Sequence, residues 1–78
     1  MSSWILRGYD RITERVVREY PLLPPDPQML RELLHRPKDD PLFDSFPVSA
    51  IALEILSRQY ELTPFESDLD YFVEYMGN

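Results

Sequence analysis

The side chains able to do chemistry are few and scattered. The single histidine, His35, sits beside Arg36, and no nucleophile or carboxylate partner is signalled for it. Cations suit the last turn of a helix, and that is the role read for His35. Asp39, Asp40 and Asp44 are close enough together to hold a hard cation. Their spacing matches no calcium loop, however, and the turn glycine such a loop needs is missing. A second acidic set, Glu66, Asp68, Asp70 and Glu74, can supply an acid–base pair, as any acidic strand end can. Arg7, Arg11, Arg15 and Arg18 line up only if their segment is a helix, and Asp10, Glu14 and Glu19 interrupt them. No phosphate loop, dinucleotide fingerprint or HExxH occurs, and two glycines are too few for a glycine-rich loop. The expectation is a protein that is not an enzyme, with no catalytic residues, no metal and no cofactor.

A chain of 78 residues makes one small domain, 1–78, with a small core. The absence of cysteine excludes a disulfide framework and a thiolate zinc site. Ten aromatic residues and 44% apolar content argue for a folded chain rather than a disordered one. Fourteen acids against eight bases, a net charge of −6, argue against nucleic acid as a partner. The charge is uneven. Residues 1–38 hold seven bases and five acids, whereas residues 39–78 hold nine acids and only Arg58 in opposition. Such asymmetry hints at an electrostatically steered partner, unless the halves interleave on folding. The longest apolar run, residues 50–53, is too short to span a membrane, and no segment reads as an export signal. A cytoplasmic protein with no membrane contact is expected.

The elements that must position these residues follow from periodicity and punctuation. Residues 4–9 alternate as a strand, with Trp4 and Leu6 on one face and Ile5, Arg7 and Tyr9 on the other. Gly8 marks a bulge or a close backbone approach. Residues 16–22 alternate again, and the turn residues between the two runs make a hairpin. A helix over residues 11–20 is the alternative, because Ile12, Val16 and Tyr20 also fit a helical stripe. Asp26 caps a helix that begins at Pro27, carries Met29, Leu30, Leu33 and Leu34, and ends before Pro37. Residues 37–47, PKDDPLFDSFP, read as a rigid irregular loop. Ser49 caps a second helix over residues 50–60, and residues 70–76 alternate as a third strand. The order is ββααβ: an α+β fold with a three-stranded antiparallel sheet and two helices on one face. Leu33, Leu34, Ile51, Ile55 and Leu56 are expected in the core.

A mixture of aromatics and acids stands out. Phe43 and Phe46 lie within DDPLFDSFP, and Tyr71, Phe72 and Tyr75 within DLDYFVEY. The segments Gly8-Tyr9-Asp10, residues 39–48 and Asp70-Tyr71-Phe72 resemble the GYD, DDPxFDSFPV and DYF patterns of an uncharacterised bacterial family of small acidic proteins. In size and acidity the chain is also similar to immunity proteins of polymorphic toxin systems. That likeness implies a small inhibitor that neutralises a cognate toxin by occluding its active or substrate-binding site. Aromatic anchors among carboxylates suit an interface with a basic protein. The expected partner-binding residues are Asp39, Asp40, Phe43, Asp44, Phe46, Glu66, Asp68, Asp70, Tyr71 and Glu74. Phe43 and Phe46 can serve there as anchors or as plugs into the core. The alternatives are a homodimeric adaptor, which requires the third strand to be an exposed edge, and a small ligand-binding subunit, which requires an enclosed apolar pocket.

Overall fold

The computed structural model describes residues 3–62 and 68–77. The elements, in order, are β1 (Ser3–Asp10), β2 (Val16–Pro21), α1 (Pro27–Leu33), β3 (Ser45–Pro47), α2 (Ala50–Gln59) and β4 (Leu69–Gly77). The α+β class matches the expectation, but the three-stranded sheet does not. The sheet has four antiparallel strands in the order β2-β1-β4-β3. The additional strand is β3, which sets Ser45 opposite Glu74, Phe46 opposite Val73 and Pro47 opposite Phe72. Three residues ending in a proline carry too short an alternation to be read as a strand. The expected third strand is β4, flanked by β1 along its length and by β3 at residues 72–74. It is therefore not the free edge that the homodimer reading needs; β2 and β3 are the edges.

The hairpin expected between residues 4 and 22 is present, and the helical alternative is not. Its turn is held by Asp10, whose Oδ1 accepts the backbone N–H groups of Ile12 and Thr13 at 2.8 and 2.9 Å. Gly8 fulfils both of its suggested roles. The β1–β2 register slips between Gly8 and Tyr9, and a Cβ at Gly8 would stand 2.8 Å from Cε1 of Tyr71.

The core gathers on the sheet face that carries Trp4, Leu6, Tyr71 and Val73, with Leu22, Leu30, Leu42, Leu56 and Leu69 joining it. Asp26 caps α1 as expected, accepting from the Met29 N–H at 3.1 Å. The helix stops earlier than expected. His35 lies beyond its last turn, with φ +57°, as the left-handed residue of a Schellman cap. There the Arg36 N–H donates to Arg31 O at 2.7 Å and the His35 N–H to Glu32 O at 3.2 Å. Leu33 and Leu34 are half-buried against the core.

The second helix buries Leu56 as expected but turns Ile51 and Ile55, also expected in the core, outward. Leu56 is fully buried and Ala52 nearly so, whereas Ile51 and Ile55 are exposed. The Ala52–Leu56 stripe continues into Tyr60 and lies beside Leu53, all packed on the core, while the Ile51–Ile55 stripe runs into Gln59. Two apolar stripes compete on one helix, and the longer one wins. Among the described residues, no helix is long and apolar enough to cross a membrane.

Candidate interaction surface

Between α1 and β3 the chain is irregular but pinned at several points. Asp40 is the hub. Its carbonyl oxygen accepts from Nε of Arg31 at 2.6 Å, and its Oδ2 accepts from Nε of Arg36 at 2.6 Å. Its Oδ1 accepts from the Leu42 N–H at 2.7 Å. The Leu42 N–H and, after it, the Arg36 guanidinium hold the Asp40 carboxyl below its ordinary range. Leu42 adopts a left-handed φ of +58° and plugs the core completely buried. The indole N–H of the buried Trp4 donates to the Leu42 carbonyl at 2.8 Å, so both polar groups are satisfied inside.

This pinning decides what the loop presents. Phe43 is 62% exposed and rests on Tyr75, with ring centroids 4.6 Å apart and planes at 40°. Tyr75 in turn leans on Trp4 at 5.6 Å. A stack of three rings thus runs from the core to the surface and ends in Phe43. Asp39 and Asp44 stand exposed on either side of it along the chain. A preformed aromatic tip of this kind loses little conformational entropy on docking.

The sheet face opposite the Trp4–Leu6 core carries a different arrangement. Glu74, half-buried, accepts from Arg7 at 2.8 Å, from the Tyr9 hydroxyl at 2.6 Å and from Ser45 Oγ at 2.8 Å. Arg7 also reaches Glu19 at 2.9 Å, and Arg11 pairs with Asp70 at 2.9 Å. Tyr9 meets Phe72 edge-on at 5.6 Å. Desolvation works against ionisation of Glu74, but the hydrogen bonds from Tyr9, Arg7 and Ser45 together outweigh it and hold the carboxyl below its ordinary range. The Tyr9 phenol is pushed up, first by its hydrogen bond to Glu74 and then by desolvation. The network ties β1, β3 and β4 together. A shallow concavity of about 320 Å³ lies over it, lined by Tyr9, Asp10, Arg11, Glu14, Phe72 and neighbouring side chains.

The structure separates the ten residues expected at the interface. Asp39, Phe43 and Asp44 are all exposed on the pinned loop. Asp40 is turned to internal use, and its side chain is only 12% exposed. Phe46 is half-buried on the core, with the Arg36 guanidinium 5.3 Å above its ring. Tyr71 is a core residue, 6% exposed, because it shares a face with Val73 and lies across Gly8. Asp70 and Glu74 alternate onto the face opposite Tyr71 and Val73, where Arg11 and Arg7 neutralise them. Asp68 is exposed just before β4, and Glu66 lies outside the described residues. The sequence reading missed Trp4, Tyr75, Arg31 and Arg36 as the supports of the loop. A buried tryptophan needs an acceptor for its N–H, and loop carbonyls supply one; that was the available signal.

No curated protein and no solved structure gives a significant match to the chain. Residues 3–74 match a family described as a domain of unknown function, and by that span the protein belongs to DUF7683.

Proposed function

We propose that the domain is a non-catalytic binding protein that docks a basic protein partner through the pinned loop, and that the partner is a bacterial toxin whose active or substrate-binding site it occludes. The observation that supports this most is Phe43: a large apolar ring held out of the core by a rigid stack, between two exposed carboxylates. Aromatic anchors concentrate binding energy at interfaces, and flanking charges steer encounter and set specificity. The net charge of −6 acts in the same direction by drawing a cationic partner from a distance. The contact surface is smaller than the sequence suggested, because Asp70 and Glu74 already carry their own cations.

The test uses the partner captured from the native cytoplasm and identified. Wild type at equimolar ratio should abolish the partner's toxic activity. Its association rate should fall steeply as salt rises from low to near-physiological strength. The double substitution Asp39→Asn, Asp44→Asn should slow association at low salt by about three- to tenfold and change dissociation little. An association rate indifferent to both salt and the double substitution would remove the electrostatic part of the proposal. A partner left fully active at saturation would remove the inhibitory part.

A further inference from the structure

The arginines that pin the same loop form a second feature. Arg31 belongs to the last turn of α1, and Arg36 follows the Schellman cap. Both side chains are anchored through Nε to one residue, Asp40: Arg31 to its carbonyl oxygen and Arg36 to its carboxylate, each at 2.6 Å. Anchoring through Nε leaves both terminal amino groups of each guanidinium as donors. Arg36 is further steadied over the ring of Phe46. Arg31, Arg36 and Lys38 line a single concavity of about 280 Å³, together with Gln28 and Glu32. In a chain of net charge −6, three of the eight basic residues converge there.

We propose that this concavity is a binding site for a small phosphoryl oxyanion. Paired guanidinium forks match the oxygens of phosphate, the Lys38 ammonium adds a point charge, and the Gln28 amide adds a neutral donor. The pairs are held in place before a ligand arrives, so little ordering entropy is lost on binding. The lining carries three cations against the carboxylate of Glu32 and, behind Arg36, that of Asp40, which leaves a surplus of one positive charge for an oxyanion to offset. The volume lies just below the range of about 300–1,000 Å³ usual for drug-sized ligands. It suits a phosphate monoester of a few carbons rather than a nucleotide.

The test is a titration of the ¹⁵N-labelled full chain with methyl phosphate at a pH where it is a dianion, with inorganic phosphate and acetate as parallel arms. Saturable shifts are expected at the Arg31 and Arg36 Nε–H resonances and along residues 28–38, with an affinity in the millimolar range. Acetate should bind about tenfold more weakly, since it offers fewer oxygens to the paired forks. Inorganic phosphate binding as well as methyl phosphate would identify the free ion as a sufficient ligand and still support the site. Lys38→Gln removes a side chain with no ion-pair partner among the described residues, so the fold is kept, and should weaken binding several-fold. Arg31→Gln should weaken it further, and Phe43→Ala should leave it unchanged. Shifts that do not saturate, that spread equally to Arg15 and Arg58, or that persist unweakened in Lys38→Gln and Arg31→Gln would overturn the proposal, as would acetate binding equal to methyl phosphate.

Discussion

Truncating Leu56 to alanine is expected to lower the unfolding free energy by about 2–5 kcal/mol. The side chain is fully buried, and it seats α2 on the core that holds Trp4, Leu6 and Val73. A small domain has about 5–15 kcal/mol in total, and a chain of 78 residues belongs near the lower end. Loss of one core leucine therefore removes a large share of it. Ile51 and Ile55, at 73% and 44% exposed, bury much less apolar surface. Ile51→Ala should cost under about 0.5 kcal/mol and Ile55→Ala under about 1.5 kcal/mol. Urea denaturation of the three variants checks the ranking. Equal midpoints for Leu56→Ala and Ile51→Ala would show that α2 seats its other stripe.

Removal of the Glu74 side chain should have the next largest effect. Its carboxylate satisfies Arg7, Tyr9 and Ser45 at once across three strands. Glu74→Ala takes the partner from the half-buried Tyr9 hydroxyl and one of two from Arg7, which keeps Glu19, while the exposed Ser45 turns to water, at a cost of about 1–3 kcal/mol near neutral pH. The contribution has a definite pH dependence. The folded-state carboxyl titrates below its ordinary value. Its stabilisation is therefore fully present above the unfolded value of about 4.3 and is lost as pH falls through the lowered folded value. Asp10 and Asp40 are held low in the same direction, the first by the Thr13 and Ile12 N–H groups and the second by the Leu42 N–H and Arg36. The difference between wild type and Glu74→Ala isolates Glu74 from them. That difference should be large at pH 7 and shrink toward pH 3. A difference independent of pH would mean that the carboxylate's charge contributes nothing and only its packing matters.

Local signals carried much of the fold. Asp26 before Pro27 and Ser49 before α2 are capping residues with one good use, and each makes its expected hydrogen bond. The alternation of residues 4–9 identified the face of Trp4 and Leu6 correctly. What stayed hidden depends on distance along the chain. Ser45–Pro47 becomes a strand only because β4 offers it a ladder 25–29 residues later. Tyr71 and Glu74 look alike as members of an acidic aromatic strand, yet one enters the core and the other faces Arg7. Their difference in fate depends on which β4 face meets the helices. The acidity of the second half of the chain was legible as a sum but not as a surface. The bases that offset it at Glu74 and Asp70 are Arg7 and Arg11, on the far side of the sequence and across one strand boundary. Asp39, Asp40 and Asp44 looked equivalent because spacing does not reveal that Asp40 alone is claimed by Leu42, Arg31 and Arg36.

Docking through the pinned loop is tested most directly by the dissociation constant of the identified partner for wild type and for Phe43→Ala, with the melting temperature of each recorded beside it. Phe43 is the exposed end of its stack, so its truncation should leave the fold intact and shift the melting point little. As a central anchor it should weaken binding by about 2 kcal/mol, a rise of roughly thirtyfold in the dissociation constant. An unchanged dissociation constant in a folded Phe43→Ala protein would contradict docking through this loop.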